Sequence, residues 1–289
     1  MLELGDGESS FIIKGIEKNI RIDGRTNNEY RTIYLELDNI LNSHGSAQIR
    51  INNTEIMVAV KTEIMIPDIL HPDEGSIEFY LECSANANPI FQGKGGDELS
   101  EEITTLLYKL YDSSAAFDKK KLGICKNEFC WKLYVEILIL QYGGNIFDAV
   151  SLAVKAALHN TRIPIVEVKK DEDLQKYYIE LSNNSSDEFN IDVSNCPLLL
   201  TISKIGANHI IDACLEEESC SIASLIFAII PNGNILLTKK LGNGSLNPTS
   251  IKQMIISAKD IGIELHERLT TLLNNNTQNI NVDRDKLAK

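Results

Sequence analysis

The sequence has little of what several large protein classes require. Among its 289 residues there is one Trp, and aromatic residues make up 6% of the chain. No apolar run approaches the roughly 18 residues that a membrane-crossing helix needs; the best, Ser219 to Pro231, is too short. Residues 1–10 (MLELGDGESS) lack the basic and apolar parts of a secretory leader. The expectation is an intracellular chain without membrane contact. Cysteines number six (Cys83, Cys125, Cys130, Cys196, Cys214 and Cys220), and none forms a Cys-x-x-Cys pair or stands beside a His at zinc spacing. They read as reduced, mostly buried thiols. Basic residues are outnumbered, 28 against 41 acidic, for a formal charge of −13. A chain of that sign does not attract polyphosphate by its net field, so duplex DNA binding by the lone protein is not expected. A local basic strip, or a pore completed by other chains, stays compatible with it.

Generic catalytic motifs are missing as well. There is no Gly-x-x-x-x-Gly-Lys-Ser/Thr, Gly-x-Gly-x-x-Gly, His-Glu-x-x-His or Gly-x-Ser-x-Gly. The histidines, His44, His71, His159, His209 and His266, are scattered and read as surface or core residues. Gly93-Lys94-Gly95-Gly96 reads first as a flexible loop before an acidic helix, and second as a segment able to approach a phosphate backbone.

What is present is a globular composition, 43% hydrophobic and 24% charged, long enough for two domains or a duplicated core. Tyr30 to Leu37 alternates as a strand, with Ile33, Leu35 and Leu37 on one face. Ala47 to Ile51 and Ile56 to Thr62 flank Asn52-Asn53, which predicts a hairpin. Ser76 to Cys83 is a further strand, and Asp97 to Tyr111 an amphipathic helix with Leu99, Ile103, Leu106, Leu107 and Leu110 on one face. Trp131 to Leu140 predicts a strand covered on both faces, broken by Gly143-Gly144. Asn145 is then expected to cap a helix, with Asp148 completing a capping-box variant and the helix ending near Asn160.

Residues 169–190 are polar and read as a connector. Beyond them, strands are expected at Leu198 to Lys204, His209 to Cys214, Ser219 to Ile230 and Ile235 to Leu241, the last two joined at Asn232-Gly233. A helix follows from Asn247 and Pro248, and the polar tail, 274–289, is expected to fray. The layout predicts an α+β fold with two related βα halves: 1–168, the 169–190 connector, 191–273, and the tail.

Several segments, in order, resemble one family. Arg21-Ile22-Asp23-Gly24-Arg25 followed by Tyr30-Arg31 is similar to the Arg-x-Asp-Gly-Arg opening of RNase PH-type proteins. Gly45-Ser46-Ala47 and Asn53 to Lys61 resemble the hairpin after it. Cys83-Ser84-Ala85, Phe91 to Asp97, Gly143 to Ala149, Asn160 to Pro164 and Glu217 to Ser221 continue the match. The resemblance covers about residues 11 to 270 and lies nearest to ring subunits of the RNA exosome. It implies the RNase PH-like fold, of the ribosomal protein S5 domain 2-like type.

The resemblance also implies what has been lost. Active members degrade RNA from the 3′ end with phosphate as nucleophile, held by a Gly-Ser-Arg-Thr stretch at a helix N-terminus, where free N–H groups and the dipole attract an anion. Here that stretch is matched by Asn145, Ile146, Phe147 and Asp148, a benzyl ring replacing the guanidinium and a carboxylate replacing a hydroxyl. Active members also use two Asp residues, six apart, on the second half. Matching through Cys196-Pro197 puts these positions at Phe189 and Asn195, which neither bind metal nor move protons, although Asp187 and Asp192 stand close by.

The implied function is a catalytically silent ring subunit supporting 3′-to-5′ RNA processing and degradation, including ribosomal RNA maturation. Its implied partners are other RNase PH-like subunits, RNA-binding cap subunits, a hydrolytic exonuclease and single-stranded RNA in the channel. Lys94 and Lys109 are the candidate RNA contacts in that channel. No cofactor and no metal are expected, and the implied location is nucleus, nucleolus and cytoplasm. The alternatives are an active phosphate-dependent exoribonuclease and a free-standing RNA-binding module; the charge and the lack of aromatic-plus-basic stacking motifs oppose the latter.

Overall fold

The computed structural model describes residues 4–92, 95–170, 177–181 and 187–287, with backbone alone for Gly95, Leu181 and 276–287. The chain opens with a helix that the sequence reading did not anticipate, α1 (Asp6–Glu17). Its apolar stripe is short: Ile12 and Ile16, four apart, are buried against Ile205, Ile210 and Ala213 of the second half.

The first sheet contains β1 (Ile33–Leu37), β2 (Gly45–Ile51), β3 (Thr54–Met65) and β4 (Ser76–Cys83). After β4 the chain crosses through α2 (Gly95–Tyr111) to β5 (Gly123–Cys125) and β6 (Phe129–Gln141). Strand order is β1-β2-β3-β6-β4, with β5 beside β6. Only a crossover can bring β4 and β6 side by side in parallel, and α2 supplies it. Asn52, at φ 53°, makes the β2–β3 turn that its side chain tolerates. The expectation that β6 is covered on both faces is corrected. Leu133, Val135, Ile137 and Ile139 are buried, but Glu136 on the other face is exposed beside half-buried Lys132, Tyr134 and Leu138. The sheet turns one face to the core and the other outward.

Next comes α3 (Ile146–Asn160), in which every residue from Ile146 to Leu158 is buried. A helix buried on every side belongs in the middle of a molecule, and α3 lies between the first sheet and the second, touching β2, β3 and β11 (Leu198–Ile205), with Asp148, Ser151 and Lys155 as its buried polar residues. Of the expected connector, residues 171–176 and 182–186 lie outside the described residues, and most of the rest is in strands. β7 (Arg162–Pro164) pairs with β10 (Glu188–Asn190), and β8 (Val166–Lys170) with β9 (Tyr177–Leu181).

The second sheet has the order β12-β11-β13-β14, with β12 (Asn208–Ile211), β13 (Ala223–Ile229) and β14 (Ile235–Leu241). Two expected strands are shortened. The one from His209 stops at Ile211 because Asp212 takes a left-handed φ of 46°. The one from Ser219 begins at Ala223 because Leu215–Ser219 forms a short helix, α4. The final helix, α5 (Pro248–Leu287), packs Met254, Ala258, Leu265, Leu269 and Leu273 into the core. Its backbone stays helical to Leu287, where a frayed tail was expected. The fold is α+β, and one hydrophobic core joins both sheets through α3 and α5.

Candidate functional site

The two halves meet at the start of α3. β6 leads into Gly143-Gly144-Asn145, and Gly144 has φ +94°. A Cβ on Gly144 would lie 2.6 Å from the Cys214 carbonyl carbon, so the first half touches the backbone of the β12–α4 link. That link carries Asp212, and α4 just beyond it carries Glu217 and Glu218.

Three arginines from the amino-terminal segment hold it. Arg31 donates from Nε to Asp212 Oδ2 at 2.8 Å and from Nη2 to Oδ1 at 2.7 Å, a two-pronged grip in a buried setting. The Arg31 backbone N–H adds a further bond to Oδ2 at 2.8 Å, and its remaining donors reach the carbonyls of Gly143 and Gly144. Arg21 grips Glu217 through Nε at 2.8 Å and Nη2 at 2.5 Å, and donates to the carbonyls of Ile211 and Asp212. Arg25 reaches Asp212 Oδ2 at 3.1 Å. Burial alone would raise the Asp212 pKa, but the Arg31 bonds and charge outweigh it and hold the carboxylate below its usual range.

Asn145 does not cap α3 through its side chain. Its backbone is left-handed at φ 57°, whereas a capping side chain needs an extended backbone to reach the first helical N–H groups. Instead, Asn145 Nδ2 lies 2.7 Å from Asp212 Oδ1, 3.0 Å from Asp148 Oδ2 and 3.1 Å from the Tyr30 hydroxyl. The Asn145 backbone N–H donates to Glu218 Oε1 at 2.7 Å, and the Tyr142 hydroxyl donates to Oε2 at 2.8 Å. Burial raises the Glu218 pKa against these two bonds. Asp148 is fully buried and accepts from Thr201 Oγ1 at 2.7 Å and the Thr201 N–H at 3.0 Å. Burial pushes its pKa up to about 7, against those bonds. Ile146 and Phe147 complete the turn, both buried, with Lys239 Nζ 6.0 Å from the Phe147 ring centre. A carboxylate of the protein therefore sits where the first free N–H of the helix would take an anion.

Residues 29–164 match the 3′ exoribonuclease family, domain 1, and residues 195–261 match domain 2 of the same family. The chain belongs to the RNase PH family of 3′ exoribonucleases. It is 32% identical to a Dictyostelium discoideum protein provisionally named exosome complex exonuclease RRP42, over 92% of this chain and 96% of that one. It is likewise 32% identical to the exosome complex component Rrp42 of Methanothermobacter thermautotrophicus, over 84% and 86%. Among solved structures, the Archaeoglobus fulgidus exosome with RNA bound to the active site has a chain at TM-score 0.78 and 26% identity, covering 91% of this chain and 98% of that one.

Within the RNase PH frame, the sequence-predicted positions separate. Asn145, Ile146, Phe147 and Asp148 do form the first turn of the helix after the long strand β6. Phe189 and Asn195 do not lie with them. Phe189 pairs with Ile163, beyond the far end of α3, and exposed Asn195 precedes Cys196, whose carbonyl accepts from Lys155 Nζ near that same end. Asp192, also expected near the site, is exposed and bonded to Lys121. The acids six apart that stand at the helix start are Asp212 and Glu218. The sequence signal for this pair is the Asp212 that follows Ile210-Ile211, six residues before Glu218 in the Glu217–Ser221 segment. Lys109 is exposed on α2, and Lys94 lies outside the described residues. No cluster of metal-ligating side chains exists among the described residues.

Proposed function

We propose that this chain is a catalytically silent component of an exosome-type ring, contributing wall and docking surface to 3′-to-5′ RNA processing and degradation. The reading is carried by Glu218 Oε1, 2.7 Å from the Asn145 N–H, in a turn with no exposed residue from Asn145 to Asp148. Phosphate at that amide would have to displace the half-buried Glu218 carboxylate and then face buried Asp148 and Asp212, with Phe147 in place of a clamping guanidinium. Asp212 is already committed to Arg31 and Arg25. The similarity to Rrp42 exosome components over most of each chain supports membership in such an assembly. Partners in this reading are RNase PH-like subunits, cap subunits, a hydrolytic exonuclease and RNA threaded through the channel. Work in ribosomal RNA maturation and RNA turnover would place the chain in nucleus, nucleolus and cytoplasm.

The second reading, an active phosphorolytic exoribonuclease, draws on one observation: the acid pair six apart persists as Asp212 and Glu218. One assay decides. Purified chain is incubated with single-stranded RNA, magnesium and phosphate. The expected result is intact RNA and no nucleoside diphosphate; diphosphate release that Glu218→Ala abolishes would establish the second reading.

A further inference from the structure

Among the described residues, the largest aliphatic exposure confined to one short segment is in the loop between β3 and β4. Ile66, Ile69 and Leu70 are 75%, 94% and 80% exposed, next to Met65 at 39%. Single exposed aliphatics are ordinary, but three large ones crowded on one loop mark a contact surface.

The loop does not owe this exposure to a lack of structure. Pro67 is buried at its base. The Leu70 N–H donates to Asp68 Oδ1 at 3.1 Å, the His71 N–H to the Asp68 carbonyl at 3.0 Å, and the Glu74 N–H to the His71 carbonyl at 3.2 Å. Asn127 N–H reaches the Pro72 carbonyl at 2.9 Å, and the Gly75 N–H reaches the Lys119 carbonyl at 3.0 Å. A Cβ on Gly75 would meet Leu122 and the Trp131 carbonyl at 2.4 Å, so the exit of the loop is pressed against the core. A segment held in one shape with its aliphatic side chains outward has little ordering entropy left to lose on docking.

Charge selects the occupant. From Glu63 to Glu74 the segment carries Glu63, Asp68, Asp73 and Glu74 and neither Lys nor Arg. Those carboxylates, with no Lys or Arg on the segment, oppose an RNA backbone there. A second copy docking loop to loop would set the same acids against each other, since a two-fold contact is self-complementary. We infer that the Ile66–Glu74 loop is a peg for a different protein chain, one that offers an apolar pocket rimmed by Lys or Arg. Resting on the assembly reading above, that chain is a basic RNase PH-type neighbour in the ring.

The test uses the full chain, tagged in its source organism and purified with whatever it holds. A carbodiimide then joins carboxylates to lysines in direct contact. The expected result is a link from Asp68, Asp73 or Glu74 to lysines of one RNase PH-type chain, identified by mass spectrometry. The double variant Ile69→Asp, Leu70→Asp should lower recovery of that chain about tenfold. Ile256→Asp, at a position 55% exposed on α5, should leave recovery unchanged. Undiminished recovery with the double variant, or a cross-link map with the loop acids unlinked, overturns the peg while the assembly reading stands. Loop-to-loop links between two copies also overturn it. Wild-type chain recovered without any RNase PH-type partner overturns the assembly reading and the peg together.

Discussion

At the scale of single residues, the informative feature is that charged groups around Asn145 are spent on one another. Arg31 bonds Asp212 with both prongs and a backbone N–H, and the pair is buried. Removing one member of such a pair strands the other charge away from water, which costs about 3–5 kcal/mol. Arg31→Ala should therefore lower the urea midpoint sharply. Arg25→Ala takes only one bond, at 3.1 Å, from the Asp212 carboxylate, and its other partners are Asp23, which is not buried, and the Glu29 and Asp212 carbonyls, so it should cost clearly less. Equal losses would mean that Asp212 is not held as described. Asp148 offers a test by pH. Its pKa is raised to about 7 by burial, so between about pH 4 and 7 the folded chain holds a proton that the unfolded chain has released. That contribution is fully present below pH 4 and is lost as pH rises through 7, at up to about 1.4 kcal/mol per pH unit. Glu218, also raised, acts in the same sense. His266, lowered to about 4 by burial, acts oppositely in part of this window. The readout is thus a difference: wild type minus Asp148→Asn stability should fall from pH 5 to pH 8 in urea titrations. A flat difference would place the Asp148 pKa near its ordinary value.

At the scale of elements, the turn from β6 into α3 depends on Gly144 for two separate reasons. Its φ of +94° disfavours any side chain, and its Cβ position is filled by the Ala213–Leu215 backbone. Gly24 shares only the first, with φ +81° and nothing within 4 Å. Gly24→Ala should cost about 1 kcal/mol, whereas Gly144→Ala adds overpacking against backbone that cannot rotate away, for about 3 kcal/mol or more. Comparing the two thermal midpoints checks this. The same comparison shows what was readable from sequence. Alternation at Ile33, Leu35 and Leu37, the Asn52 and Gly233 turns, and the apolar faces of α2, α3 and α5 are local patterns, and each marked its element. The short helix α4 escapes a periodicity reading because Leu215–Ser219 is little more than one turn and has a single apolar residue. Likewise, Glu36, Tyr80 and Glu136 reveal a solvent-facing sheet surface only once β1, β4 and β6 are assembled. The site was half legible. Asn145 to Asp148 follow a visible break at Gly143-Gly144, but Asp212 and Glu218 reach Asn145 only through the docking of the second half. Phe189 and Asn195, reached by matching the chain through Cys196-Pro197, lie toward the other end of α3 from Asn145.

At the scale of the whole molecule, the position of α3 bears on how the protein unfolds. Two halves related in layout suggest two domains that melt separately, yet α3 is buried all round between both sheets, and a single core runs through Leu133, Leu152, Leu200 and Phe227. The Arg21–Glu217 and Arg31–Asp212 pairs add polar ties across the same boundary. Neither sheet can leave without exposing the helix, so the loss of either should expose the other. The single Trp makes this measurable: Trp131 is buried on β6, in the first half. Phe227 is fully buried on β13, in the second half, and Phe227→Ala should cost about 3–5 kcal/mol. If the halves are one cooperative unit, Trp131 fluorescence and far-ultraviolet circular dichroism should trace coincident urea transitions. Phe227→Ala should then shift both midpoints equally, although the mutated ring and the reporting indole belong to different sheets. An unmoved Trp131 midpoint beside a displaced dichroism curve would show that the first half stands alone, and that α3 belongs energetically to it and not to the joint.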